Sequence, residues 1–277
     1  MSTLYDPQAT ISDSEFAAFQ RLIQQLTGIH LSDAKKQLVF GRLRARVRQL
    51  GLDSFEQYFR LVSASTQADE RQMVVDLLTT NETYFFREPR HFDLLRNEIL
   101  PQRQRNRPLR VWSAASSSGE EAYSIAMVLA DALGASRQAA WEVLGSDISR
   151  RVLDKARTGR YPLQRIDGIP SHLMTNWCAK GSAAQEGTLL VDAAIRERVR
   201  FQQINLNERL PDIGRFEVVF LRNMLIYFQP AAKNEIVRRV VDIMHPGAWL
   251  IVGHSESVKG SDERLQVHSP SVYRVAR

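Results

Sequence analysis

Apolar residues recur three and four positions apart through the first part of the chain, the spacing of one helix face. In SDSEFAAFQRLIQQLTG, Phe16, Phe19, Leu22, Ile23 and Leu26 share that face. Ser12 or Asp13 stands where a cap belongs, and Gly28 where a helix stops. SDAKKQLVFGRLRARVRQLG repeats the scheme, with Ser32 as cap, Val39, Leu43, Val47 and Leu50 as stripe, and Gly51 as stop. SFEQYFRLVS and DERQMVVDLLTT predict two further short helices. No strand pattern precedes residue 108, so a small helical domain over residues 1–85 is expected. From Arg110 the pattern changes. Short apolar runs at 110–114, 141–147, 199–205, 216–222 and 248–253 alternate with helical stretches at 120–133, 150–157 and 230–244. That alternation predicts an α/β fold with a doubly wound, mostly parallel sheet. LQVHS and SVYRVAR flank Pro270 and read as a C-terminal antiparallel hairpin. Between Tyr161 and Arg198 the pattern is irregular, and a small antiparallel β insertion is expected at about 174–196.

Composition narrows the class. The chain has 277 residues, 44% hydrophobic and 25% charged, ordinary values for a globular protein. No stretch reaches the ~20 apolar residues of a membrane span, and the opening residues lack the basic and apolar regions of a secretory signal. Cys178 is the only cysteine, so no internal disulfide can form; it is read as a packing residue. A cytoplasmic location is expected. Six histidines show no metal-ligand spacing, so no metal is expected. The 37 Lys and Arg against 31 Asp and Glu give +6, which fits an acidic partner without choosing one.

The informative stretch is RVWSAASSSGEEAYSIAMVL, 110–129. Strand, small-residue turn and helix form the front of a dinucleotide fold. Yet one glycine stands where three are expected, and Glu120 and Glu121 occupy the first helical turn. A helix N-terminus attracts phosphate, and two carboxylates there repel it. A cation or a set of hydroxyls suits the turn better; the same acids would also serve as plain helix caps. Asp147 ends the second strand, where an acid accepts ribose hydroxyls, or else caps the next helix. Asn205 ends the third. Arg222, Asn223 and Tyr227 cluster at the end of the fourth, on the edge where open α/β sheets bind ligands. Other readings stay open on the residues alone. A nucleotide-dependent oxidoreductase would need glycines where Ser116–Ser118 stand. A serine hydrolase is prompted by GHSES around Ser255, although Ser257 replaces the last glycine of a nucleophile elbow. A basic, non-catalytic adaptor is the third.

The motifs TNETYFFRE (80–88), VWSAASSSGEEAYS, SDIS, INL, FLRNMLIYF and GHSES (253–257), in this order, resemble the CheR family of bacterial chemotaxis receptor methyltransferases. The likeness spans nearly the whole chain; it departs from the family where SSSGEE lacks a threonine. It implies a class I S-adenosylmethionine-dependent methyltransferase domain over 86–277 carrying the β insertion. The implied activity is methyl transfer to glutamate side chains of chemoreceptors, giving γ-glutamyl methyl esters and S-adenosyl-L-homocysteine. Another protein, an RNA or a small molecule is the alternative substrate, since fold does not fix substrate. Carried over, the cofactor contacts are Asn81, Thr83, Arg87, Glu121, Asp147, Asn205, Leu206, Arg222 and Asn223. Asp147 would take the ribose, Asn205 and Leu206 the adenine, and Glu121 with the 81–87 loop the methionine end. Arg87 and Tyr227 would lie nearest the reacting carboxylate and orient it. Arg87 could instead pair with Glu88 or Glu82, and Tyr227 could be a core tyrosine. Arg42, Arg44, Arg46 and Arg48 are expected to dock an acidic receptor helix, or to be a solvated basic face. The β insertion is expected to grip a receptor C-terminal peptide by strand addition. A monomer with no nucleic-acid partner and no membrane insertion is expected.

Overall fold

Local chemistry sets the first helix. In the computed structural model, which describes residues 10–64, 66–104, 106–135 and 140–276, α1 spans Asp13–Thr27. Ser12 caps it: its Oγ accepts the Glu15 amide at 3.2 Å, and the Glu15 carboxylate takes the Ser12 amide at 2.9 Å. Gly28 ends it at φ 76°, a left-handed conformation glycine adopts without strain. The helices α2 (Lys36–Gln49), α3 (Phe55–Ser63) and α4 (Ala68–Leu78) follow. The expected stripes are buried, among them Phe16, Phe19, Val39, Leu43 and Val47. One expectation changes. Ser32 makes no side-chain cap, because a 3₁₀ turn at Asp33–Lys35 intervenes before α2.

Beyond Thr80, α5 (Arg90–Leu94) runs into a wider turn at Leu95–Ile99. The sheet elements then alternate: β1 (Leu109–Ser113), α6 (Glu120–Leu133), β2 (Trp141–Asp147) and α7 (Arg150–Thr158). Next come β3 (Arg160–Pro162), α8 (Ser171–Trp177), β4 (Cys178–Lys180), β5 (Thr188–Val191) and α9 (Ala193–Arg196). The chain closes with β6 (Val199–Gln203), β7 (Phe216–Leu221), α10 (Pro230–Asp242), β8 (Met244–Val252), β9 (Leu265–Ser269) and β10 (Val272–Val275). The main sheet has the order β6-β2-β1-β7-β8-β10-β9. Its first five strands pair in parallel, and β10 and β9 form the antiparallel end. Strands β1, β2 and β7 are nearly continuous apolar runs, as a sheet covered on both faces requires. The order reverses beside β1, which places a ligand crevice at the carboxyl ends of β1, β2 and β7.

The antiparallel insertion is larger than expected. Its order is β3-β5-β4, and β3 lies ahead of the 174–196 window. A three-residue strand carries too little alternation to read. Tyr161 nevertheless anchors it, buried edge-on to Phe85 at 4.8 Å with its hydroxyl donating to the Ser118 carbonyl at 2.8 Å. Cys178, half-buried in β4, has its thiol pushed up to about 12 by burial, consistent with a packing role.

The chain divides into two compact units. The helical unit ends at Thr80 and also holds Tyr227–Gln229; the remainder, from Asn81, forms the sheet unit. The sequence reading had divided the chain at 85/86.

Candidate active site at the strand ends

The turn after β1 is built for close approach. Ser117 adopts φ 49° and Gly119 φ 96°. A Cβ at Gly119 would fall 2.8 Å from Ala156 Cβ and 2.9 Å from the Tyr161 hydroxyl, so only glycine fits. The Ser116 amide donates to the Ser146 carbonyl at 2.8 Å, tying the turn to β2. Asp147 at the end of β2 is 8% exposed. One of its oxygens accepts the Ser117 amide and the other the Ser149 amide, each at 3.0 Å. The carboxylate is thus fixed in direction by backbone on both sides. The Ile204 amide donates to the Asp147 carbonyl at 3.0 Å, which brings Asn205 and buried Leu206 beside the same strand end. The Asn205 side chain takes the Asn207 amide at 3.1 Å and donates to Glu208 at 2.8 Å.

Arg222 organises the other side. Its side chain is 1% exposed. One terminal nitrogen donates to Glu121 at 2.8 Å, and the other to Glu88 at 2.9 Å and to the Arg87 carbonyl at 2.5 Å. Glu121 also accepts the Ser113 hydroxyl at 2.6 Å. Burial pushes the Glu121 carboxyl up, against the pull of Arg222 and Ser113. Burial also raises Glu88, but hydrogen bonds from Arg222 and Asn223, the Arg222 charge and the His254 amide outweigh it and hold Glu88 at about 2. Two carboxyl groups therefore share one guanidinium. Glu120, next in sequence, is also buried, with Ser118 and Arg165 as partners at 2.7 and 3.0 Å. A pyrophosphate at the head of α6 would meet these acidic groups unfavourably.

The segment 81–88 is pinned over this edge by its backbone. The Ser117 hydroxyl donates to the Asn81 carbonyl at 2.9 Å, Arg165 to the Thr83 carbonyl at 2.7 Å, and the Phe86 amide to Ser124 Oγ at 3.0 Å. Phe86 and Glu88 take left-handed φ of 54° and 58°, strain that these bonds must hold. The Arg87 guanidinium donates to the Glu82 carbonyl at 3.1 Å and lies over the Tyr84 ring. Of the two rival partners foreseen for Arg87, Glu88 goes to Arg222 instead, and Glu82 contributes its carbonyl.

Asn223, with φ 57°, donates its side-chain amide to Glu88 at 3.1 Å and its backbone amide to Glu256 at 2.7 Å. Glu256 also takes the Gly253 amide at 2.8 Å, joining the ends of β7 and β8. The bonds form two sets at the strand ends: Asn81 and Asp147 meet at Ser117, and Arg87, Glu121 and Asn223 meet through Arg222 and Glu88, with Thr83 buried in the pinned segment. Tyr227 groups with the helical unit, where its carbonyl accepts the His30 amide at 2.9 Å. Glu88, Glu256, Ser113 and Ser117 escaped the sequence reading, although all stand inside the quoted motifs. The turn that holds Ser255 is followed by loop and antiparallel strand, not by the helix of a nucleophile elbow.

The four arginines of α2 divide. Arg42 donates to the Leu78 and Thr79 carbonyls at 3.1 and 2.9 Å, closing the end of α4. Arg46 grips Glu70 through two nitrogens at 2.8 and 2.5 Å, and Tyr58 adds a bond to the same carboxylate at 2.8 Å. Arg44 lies over the Phe40 ring, and Arg48 is exposed.

Residues 81–274 match the family described as CheR methyltransferase, SAM binding domain, and residues 14–79 match the CheR methyltransferase, all-alpha domain. The "Chemotaxis protein methyltransferase" of Salmonella typhimurium is 38% identical over 268 residues, 96% of this chain and 92% of that protein. The "Chemotaxis protein methyltransferase 2" of Pseudomonas aeruginosa is 40% identical over 263 residues, 95% of this chain and 93% of that protein. With both family domains matched in order and relatives of this identity running nearly end to end, the chain belongs to the CheR methyltransferase family.

Proposed function

We propose that the chain transfers a methyl group from S-adenosylmethionine to glutamate side-chain carboxylates of chemoreceptors, forming γ-glutamyl methyl esters. The observation that supports the cofactor reading is the shared guanidinium: Arg222 serves both Glu121 and Glu88, which makes an acid-rich edge suited to a cationic ligand. Asp147, fixed by two amides, can still accept further hydrogen bonds, as a ribose diol requires. These residues fit S-adenosylmethionine, with Asp147 at the ribose, Asn205 and Leu206 at the adenine, and Asn81, Thr83, Glu121, Arg222, Asn223 and the Arg87 segment around the methionine end. The bound cofactor supplies an activated methyl on a positively charged sulfur.

The chain's own task is positional. A glutamate carboxylate has an unperturbed pKa of about 4.3 and is ionised at neutral pH, so no general base is needed. Arg87 is the group proposed to orient the incoming carboxylate, because its backbone is pinned by Arg222 while its side chain holds only a carbonyl and a ring face. Tyr227 is proposed as a second donor to that carboxylate. A weak grip is an advantage here, since a tight ion pair would quench the nucleophile. The arginines of α2, Arg42, Arg44, Arg46 and Arg48, are the groups proposed to dock an acidic receptor helix, with Arg48 exposed. An extended receptor tail would pair with an edge strand of the small sheet, β3 or β4.

The test is to incubate the protein with methyl-labelled S-adenosylmethionine and membranes bearing candidate receptors, then treat the labelled band with alkali. Alkali-labile label on the receptor is expected. Stable label, or label on RNA or a small molecule, would overturn the glutamate assignment.

A further inference from the structure

Beside the cofactor edge, three metal-ligating side chains converge from two separate segments: Glu88 and His91 at the head of α5, and His254 in the loop after β8. One ligand atom from each lies within 4.8 Å of the others. His91 Nδ1 is 3.4 Å from Glu88 Oε2, and His254 Nε2 is 3.9 Å from the same oxygen. In a tetrahedral zinc site with bonds of about 2.0–2.1 Å, neighbouring ligand atoms stand about 3.3 Å apart. The first pair already has that spacing. The remaining separations, 3.9 Å to Glu88 and within 4.8 Å overall, must close by a shift of His254, whose side chain is 52% exposed.

The hydrogen bonds of His91 point the same way. Its side chain is 4% exposed, and Nδ1 has no hydrogen-bond partner among the described residues. Nε2 is 2.9 Å from Ser271 Oγ, and that hydroxyl donates to the Pro270 carbonyl at 2.6 Å. With its hydrogen spent there, Ser271 Oγ accepts from Nε2–H. The neutral ring then turns a bare Nδ1 lone pair towards a carboxylate oxygen, an arrangement that repels unless a cation lies between. The Nε2–H bond to Ser271 also fixes the ring orientation, as the outer partner of a metal-bound histidine does.

We propose that Glu88, His91 and His254 form a site for a divalent transition-metal ion of the zinc type. Two imidazole nitrogens with one carboxylate suit zinc or cobalt and exclude magnesium and calcium, which take oxygen ligands. Arg222 sits 2.9 Å from the same Glu88 oxygen and opposes a second cation, so the metal competes with an existing ion pair. Occupancy would draw Glu88 away from Arg222 and loosen the grip on the Arg87 carbonyl. The site lies beside the cofactor cradle and stands independently of the methyl-transfer reading.

The experiment is a titration of the tag-free chain with Co²⁺, read by its visible d–d absorption, followed by displacement with Zn²⁺. A saturable tetrahedral-type band that zinc bleaches is expected. His254→Ala should weaken binding by at least about tenfold. His254→Cys should restore it and add a near-ultraviolet thiolate-to-cobalt charge-transfer band, which no merely structural role produces. Absence of the band in the unaltered chain, or equal cobalt affinity in His254→Ala, would overturn the assignment.

Discussion

The Asp147 carboxylate is directed by the Ser117 and Ser149 backbone amides. Asp147→Ala is expected to weaken S-adenosylhomocysteine binding by at least about tenfold, the loss of charge-assisted hydrogen bonds, measured by calorimetric titration. Unchanged affinity would remove Asp147 from the site. Gly119 is held by space as well as by φ, so Gly119→Ala should cost more than about 2 kcal/mol of stability. A denaturant midpoint like that of the unaltered chain would contradict the crowding described. Arg87→Ala should lower kcat far more than it shifts the melting temperature, because its guanidinium holds only one carbonyl and a ring face. The positions of Asp147, Glu121 and Arg222 were legible because each stands at the end of a strand or the start of a helix in a recognisable order. The partnership of Glu88 with Arg222 was not. Those residues are far apart in sequence, and only the fold makes the nearer pairing of Arg87 with Glu88 give way.

Among elements, the parallel strands were readable because burial on both faces writes them as apolar runs. Strands of three residues write almost nothing, so β3 was missed and the insertion began too late. The stretch from α5 through the wider turn after it did leave a trace, since Phe92, Leu95 and Ile99 are buried at helical spacing. The four arginines of α2 show the limit of reading charge from a helix alone. The stripe was legible, but whether an arginine faces solvent or a partner depends on α4, which supplies Glu70 to Arg46 and carbonyls to Arg42. That Glu70 has a testable consequence. Hydrogen bonds from Arg46, which outweigh burial, hold its carboxyl below the ordinary 4.5. A folded pKa below the unfolded one contributes stability that is complete above about pH 4.5 and is lost as pH falls through the folded value. Glu70→Gln should therefore melt well below the unaltered chain at pH 7, by about 3 kcal/mol for a broken half-buried pair. The gap should narrow as pH drops under about 4.5. A gap independent of pH would mean that packing, not charge, accounts for the loss.

At the scale of the molecule, no helix among the described residues is long and apolar enough to cross a membrane. The chain carries a mild net charge of +6. The polypeptide leaves the sheet unit after Ile226, contributes Tyr227–Gln229 to the helical unit, and returns at Pro230. There Ile29 and Phe228 form an isolated bridge, and the His30 amide meets the Tyr227 carbonyl. The chain therefore passes between the units at three peptide bonds instead of one. Heating that melts the helices must also release the strip following β7, next to Arg222 and Asn223. Calorimetry should accordingly record one merged endotherm, and a ligand gripping the strand ends should raise the temperature at which the helices melt.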